Sequence, residues 1–166
     1  MTTDLRSLFS NELEQVLAGH PAFRAKQIFD WLQRKGVASF DEMTNLPNKL
    51  RHELRERFEL GTCEIARKQV SQIDGTIKYL FRLRDGALIE SVVMDYEHGR
   101  SICLSTQVGC RMGCVFCATG AQRFERDLTA GEMLAQVYAL TKEAKMILTA
   151  VYILWVNTGE IKWGDI

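Results

Sequence analysis

Apolar positions along the first sixty residues recur at helical spacing. Leu5, Leu8, Phe9, Leu13, Val16 and Leu17 fall on one face of a helix over residues 4–18, with Gly19 as its stop. Phe23, Ile28, Phe29, Trp31 and Leu32 make a second stripe from Phe23 to Arg34, closed by Gly36. The stretch SFDEMTNLP reads as a connector, and Pro47 opens a third helix that runs to about Phe58 and ends by Gly61. Trp31 and the phenylalanines of these stripes are expected to pack in a core.

From Glu64 the period changes to two. Ile65, Val70, Ile73, Ile77, Tyr79, Phe81 and Leu83 lie in short segments interrupted by Asp74-Gly75 and Asp85-Gly86, both hairpin turn signals. Strands are expected over Ala87 to Met94 and Ser101 to Thr106, joined by the polar turn Glu97-His98-Gly99-Arg100. Thr129 caps a helix from Ala130 to Lys145 that buries Met133, Leu134, Val137 and Leu140, and Thr149 to Val156 reads as a buried strand.

Composition narrows the class. The 166 residues are 46% hydrophobic and 25% charged, which excludes disorder, and no apolar run reaches the ~20 residues of a membrane span. The N-terminal text MTTDLRSLFSNELEQ lacks the basic-then-apolar order of a secretory signal, so a cytoplasmic location is expected. In a reducing compartment five cysteines point to metal binding or catalysis before disulfides. Lys+Arg and Asp+Glu both number 21, so net charge makes no case for nucleic acid. Arg24, Lys26, Arg34, Lys35, Lys49, Arg51 and Arg55 do gather on the N-terminal helices, where a solvated face is the ordinary reading.

The chemistry concentrates in CLSTQVGCRMGCVFC, residues 103–117. Cys110, Cys114 and Cys117 stand at i, i+4 and i+7, with Gly109 and Gly113 supplying the backbone freedom to curl around one inorganic centre. Three thiolates leave a tetrahedral zinc site incomplete, but they hold three corners of a four-iron cluster with one iron open to S-adenosylmethionine. Other readings are a structural zinc with Cys103 or His98 as fourth ligand, a redox pair of Cys114 and Cys117, and inert buried thiols. Cys63 has no motif partner and reads as structural.

This CxxxCxxC spacing with Phe116 before the last cysteine resembles the radical S-adenosylmethionine superfamily. The longer string CLSTQVGCRMGCVFCATG with Phe124-Glu125-Arg126-Asp127-Leu128, and the run FRAKQIFDWLQRKGVASFDEMTNLPNKLR, are similar to the RNA methyltransferases of that superfamily that modify an adenine base. The resemblance implies an α/β architecture: a helical accessory domain (1–60), a β-meander (61–100) and the start of a partial (β/α) barrel (101–166). It implies a [4Fe-4S] cluster on Cys110, Cys114 and Cys117, with S-adenosylmethionine near Phe116. Glu90 matches the proton acceptor. Cys103 matches a cysteine that resolves a covalent protein–RNA adduct by forming a disulfide. The implied reaction begins with methylation of a cysteine near the C-terminus. A 5′-deoxyadenosyl radical then abstracts hydrogen from that methyl group, and the carbon adds to C2 of adenine in 23S rRNA and tRNA. A close variant of the family attacks C8, and a non-catalytic iron–sulfur or zinc module associated with RNA is the alternative of another class. An electron donor such as flavodoxin or ferredoxin is implied, and no membrane partner.

The chain also departs from that pattern. No cysteine follows Cys117 to carry the methyl group, and a Gly-Met-Gly-Glu-Pro-like cofactor contact falls on Val156-Asn157-Thr158-Gly159-Glu160-Ile161, where Gly159 and Glu160 are its expected remnant. The expectation is a truncated or frame-disrupted member, out of register from about Leu154 and unable by itself to complete methylation.

Overall fold

The helix expected over residues 4–18 is broken at Leu8. In the computed structural model, which describes residues 2–97, 99–112, 114–115 and 118–144, Leu5–Ser7 form a 3-10 turn and the α-helix starts only at Ser10. The break has a local cause. The Asp4 carboxylate accepts from the N–H of Arg6 at 3.0 Å and from the Ser7 hydroxyl at 3.1 Å, which winds residues 4–7 tightly and leaves Leu8 extended.

The elements in chain order are β1 (Thr3–Asp4), α1 (Ser10–Val16), α2 (Phe23–Phe29), α3 (Asn48–Arg57), β2 (Phe58–Glu59), β3 (Cys63–Val70), β4 (Ile77–Leu83), β5 (Leu88–Tyr96), β6 (Gly99–Cys103), β7 (Gln107–Val108), α4 (Ala118–Ala121), β8 (Arg126–Asp127) and α5 (Ala130–Ala144). A π-helical turn, Asp30–Arg34, extends α2 to the expected end. The fold is mixed α/β. No helix among the described residues is long and apolar enough to cross a membrane.

Two compact units divide the chain: residues 1–63 with 129–139, and residues 64–128 with 140–166. In the first, Leu5, Leu13, Ile28, Leu32, Met43 and Leu54 are fully buried and define the centre of one apolar core. The connector SFDEMTNLP contributes to that core. Phe40–Glu42 form a 3-10 turn capped by the Ser39 hydroxyl, and Phe40, Met43 and Leu46 point inward. Trp31 packs against the core and its indole N–H donates to Asn45 Oδ1 at 2.5 Å. Phe9 and Phe23 do not join it. Phe9 precedes α1 on extended backbone, and the Phe23 ring lies beneath the Arg24 guanidinium at 4.7 Å, so both remain exposed.

Gly61 has a different task from ending a helix, since α3 stops at Arg57 and Phe58–Glu59 pair in parallel with Thr3–Asp4. The Gly61 N–H donates to Asp4 at 2.8 Å, and a side-chain carbon there would lie 2.6 Å from the same carboxylate. Close approach, rather than a turn, is what the glycine permits. Beside it Arg6, almost fully buried, donates to the carbonyls of Gly61 and Val37 while its guanidinium stacks over Tyr138.

The second unit holds an antiparallel sheet in the order β3-β4-β5-β6 and a two-stranded pair, β7 with β8. Both expected hairpin turns form. The Asp74 and Asp85 carboxylates accept from the N–H groups of Thr76 and Ala87, which closes each turn on itself. Along β4 and β5 burial alternates, with Tyr79, Phe81 and Leu83 and then Ile89, Ser91 and Val93 on the core face. Edge strand β3 is largely exposed on both faces. The expected strand from Ser101 to Thr106 ends at Cys103, because Ser105 leaves the ladder to donate its hydroxyl to the Glu90 carbonyl at 2.6 Å.

Helix α5 begins as expected: Thr129 Oγ1 accepts from the Glu132 N–H, and the Glu132 carboxylate accepts from the Thr129 N–H. Its buried positions differ, for Ala135, Gln136 and Leu140 are buried while Met133, Leu134 and Val137 are only partly so. Gln136 tolerates that place because its amide donates to the Glu132 carbonyl one turn back. The strand expected over Thr149 to Val156 lies outside the described residues.

Candidate active site

Strand register decides which side chains meet on the sheet. Leu80 pairs with Glu90 and Lys78 with Val92 across β4 and β5, while Val92 pairs with Cys103 across β5 and β6. Residues directly opposite each other share a face, so Lys78, Leu80, Glu90, Val92 and Cys103 lie together, opposite the core face of Tyr79, Phe81 and Ile89. Glu90 and Cys103, thirteen positions apart in the chain and expected to act on one reaction, are diagonal neighbours.

The surroundings of Glu90 are charged rather than apolar. Lys78 Nζ lies 3.1 Å from its Oε1, and its side chain is 39% exposed. A small cavity of about 70 Å³ is bounded among others by Leu80, Glu90, Ser105, Gln107 and Gly109, the last at the start of the cysteine segment. Cys103 is half-buried, and loss of hydration pushes its thiol up, which keeps it protonated near neutral pH. Cys63, outside this face, is pushed up to about 12 by burial, with the Arg6 charge opposing; an inert thiol is consistent with a packing role.

The cysteine segment is held at its base like a closed bag. Gln107–Val108 pair antiparallel with Arg126–Asp127, and the Glu125 N–H donates back to the Val108 carbonyl at 3.0 Å. Asp127 collects Gln107 Nε2 at 2.7 Å and Arg111 Nη2 at 3.1 Å, while Arg111 also lies 4.0 Å over the Phe124 ring. Arg126 reaches Asp85 at 2.6 Å, tying β8 to the β4–β5 turn. The Phe124-Glu125-Arg126-Asp127-Leu128 string quoted from the sequence is thus the closing strand of the segment. Asp85, read from the sequence only as a turn residue, and Gln107 were not expected as its partners, since contacts between residues far apart in the chain leave no local signal.

Gly109 starts the turn with φ +70°, and an added side-chain carbon would stand 2.1 Å from the Arg123 carbonyl oxygen. Only glycine fits there. Cys110 follows, bridged to Arg123, with its N–H donating to the Gln122 carbonyl at 3.3 Å. Its sulfur accepts the Met112 N–H at 3.4 Å. Cys110 and Cys114 are free thiols of intermediate exposure, and Met112 and Val115 beside them expose apolar side chains. Cys117, Phe116, Gly113, His98, Gly159 and Glu160 lie outside the described residues. Among the described residues no three His, Cys, Asp or Glu side chains converge as metal ligands; the third motif cysteine is not one of those residues. Two free, partly accessible thiols on a segment tied at both ends fit the donor set of a thiolate-bound cluster.

With this geometry in hand, similarity to known proteins is informative. Residues 3–60 match the model of the ribosomal RNA large subunit methyltransferase N-terminal domain. The chain is 51% identical over 142 residues to a "probable dual-specificity RNA methyltransferase RlmN" from Alkaliphilus oremlandii, covering 84% of this chain and 41% of that protein. The protein of the same description from Bacillus subtilis is 48% identical over 147 residues, covering 86% and 40%. A crystal structure of a radical SAM methyltransferase from Sphaerobacter thermophilus superposes with a TM-score of 0.78 at 46% identity, over 90% of this chain and 45% of that one. The chain belongs to the radical S-adenosylmethionine RNA methyltransferase family. It spans about two fifths of the length of the curated relatives it matches. Within the family fold, the described residues hold the N-terminal helices, the sheet and the cysteine segment.

Proposed function

We propose that this chain contributes the N-terminal and cofactor-gripping part of an RNA methyltransferase acting on C2 of adenine in 23S rRNA and tRNA, in the cytoplasm. In this reading Cys110, Cys114 and Cys117 hold a [4Fe-4S] cluster, and Phe116, Gly159 and Glu160 border S-adenosylmethionine. Once bound, such a cluster would supply the electron, drawn from a donor such as flavodoxin or ferredoxin, that makes S-adenosylmethionine a source of radical chemistry. The sulfur of Cys110 is fixed at the start of the segment by the Met112 N–H directed at it, which supports a place in the ligand set.

Glu90 takes the proton that leaves the adenine carbon. It reaches from a rigid central strand, and its backbone is held by Ser105, so its carboxylate is positioned without a loop rearrangement. Cys103 is the resolving thiol: protonated at rest, outside the ligand set and adjacent to Glu90, it must first lose its proton. Its sulfur then bonds to the adduct-bearing cysteine sulfur as that sulfur's bond to the methylene carbon breaks. The electron pair passes to the modified adenine, which takes up a proton to form the methyl group. The observation that carries this reading is the β4-β5-β6 register, which brings Glu90 and Cys103 onto one face, with Glu90 bordering the cavity that Gly109 also bounds.

The test is anaerobic reconstitution with iron and sulfide, followed by assay for 5′-deoxyadenosine from S-adenosylmethionine. About four irons per chain are expected, lost when Cys110 or Cys114 becomes alanine. One zinc per chain, or iron binding indifferent to those substitutions, overturns the reading.

A further inference from the structure

The face that carries Glu90 continues to the sheet edge as an open groove. Arg67 and Gln69 of β3, Lys78 and Leu80 of β4, and Glu90 line a space of about 190 Å³. Its two cations face a single carboxylate. Lys78 is paired with Glu90 at 3.1 Å, and both side chains are about half exposed. Arg67 is exposed on the edge strand, and among the described residues no carboxylate pairs with it.

We infer that Arg67 and Lys78 seat an RNA backbone phosphate beside Glu90, and that Lys78 trades the Glu90 carboxylate for this phosphate when RNA enters. The inference rests on Glu90 being the proton acceptor proposed above. Three features carry it. A half-exposed lysine–carboxylate pair in water is held by little, so a phosphate that also engages a second cation displaces it. Arginine offers a donor fork that matches phosphate oxygens, and Gln69 adds an amide donor on the same face. Every nucleotide brings its phosphate with it, so a base that reaches Glu90 delivers the anion to the neighbouring cations. The exchange also has a chemical use. Before RNA arrives, Lys78 covers Oε1, the atom that must receive a proton; afterwards that oxygen is free. Net charge leaves room for only a local attraction, since 21 basic residues balance 21 acidic ones over the chain.

The experiment measures fluorescence anisotropy of a labelled RNA stem-loop with an unpaired adenine, bound to the full chain over a range of salt. Lys78→Met and Arg67→Met are each expected to weaken binding about fivefold to tenfold and to reduce the slope of log affinity against log salt by about one. Lys78→Arg retains most of the affinity. Glu90→Gln tightens binding about threefold when Lys78 is present and clearly less beside Lys78→Met, where only the direct repulsion between carboxylate and phosphate is relieved and no pair is left to break. Unchanged affinity in both methionine variants, an effect of Glu90→Gln just as large without Lys78 as with it, or no measurable RNA binding by the unmodified chain overturns the phosphate seat. Iron content and 5′-deoxyadenosine formation are read on the same samples. If they are present while the charge effects are additive, the seat fails alone. If they are absent while the coupling holds, the seat stands and the cluster chemistry proposed for this chain falls.

Discussion

The two units solve opposite problems with different resources. The helical unit spends its apolar residues on a core in which Leu5, Leu13, Ile28, Leu32, Met43 and Leu54 are sealed from water. Its polar interior is confined to structural fastening, chiefly Arg6 with the Gly61 and Val37 carbonyls. The sheet unit packs one face with Tyr79, Phe81, Ile89 and Val93, and leaves the other to Lys78, Glu90 and Cys103. The residues proposed for chemistry therefore gather where burial is incomplete. A side chain that must meet iron, a nucleotide or a proton has to stay reachable, and reachability costs stability.

That contrast is sharpest under substitution. Leu54→Ala, at a fully buried site of the helical unit, is expected to cost about 2 to 5 kcal/mol in urea unfolding followed by circular dichroism, whereas Leu88→Ala on the exposed sheet face costs under about 1 kcal/mol. Equal losses would erase the distinction between the units.

Gly109→Ala comes next. It places an L side chain at φ +70° against the Arg123 carbonyl, a strain of about 1 to 3 kcal/mol confined to the cysteine segment. Iron uptake on reconstitution is expected to collapse while the helical circular-dichroism signal stays; retained iron uptake would separate segment geometry from cluster binding.

Thiol accessibility gives a smaller but cleaner contrast. At mildly alkaline pH iodoacetamide is expected to modify Cys110 and Cys114 first, Cys103 more slowly and Cys63 last, because burial raises the thiols of Cys103 and, to about 12, Cys63. Peptide mass spectrometry of timed samples reads the order, and early labelling of Cys63 would contradict its packed position.

The smallest effect concerns pH. Burial acts to raise Asp85, but the Ala87 N–H and Arg126 outweigh it, so the carboxyl sits below its usual range. A carboxylate lowered in the folded state stabilises above about pH 4, its unfolded value, and that contribution disappears as pH falls through the folded value. Asp85→Asn is therefore expected to lose a few tenths of a kcal/mol, about 0.3 to 1, near neutral pH and almost nothing near pH 2, measured by urea unfolding of the sheet unit. A difference independent of pH would mean that the Asp85–Arg126 pair does not hold the base of the cysteine segment.

Much of this was readable one segment at a time. The Asp-Gly turns, the capping threonine of α5 and the switch from helical to alternating period all rest on neighbours within a few residues, and each formed as expected. The close packing at Gly61 and the burial of Gln136 were invisible, the first because folding brings Asp4 near and the second because a polar group is satisfied inside a helix. The break at Leu8 has a local cause, the Asp4 carboxylate, which an apolar stripe does not register. The apolar stripe likewise overstated the core at Phe9 and Phe23, because periodicity reports which residues can face inward and not which do.

The linear order of residues was enough to propose the chemistry: three thiols at fixed spacing with flexible glycines among them, and, through the family resemblance, a carboxylate and a further cysteine upstream. Spacing along one segment is a local property, and ligand sets written that way survive without coordinates. Folding alone set the company those groups keep. Whether Glu90 meets Cys103 or Lys78 depends on how three strands align, and a slip of one residue would turn each of them to the opposite face. Hydrogen-bonded register is a relation between distant segments, so it exists only once the sheet has formed.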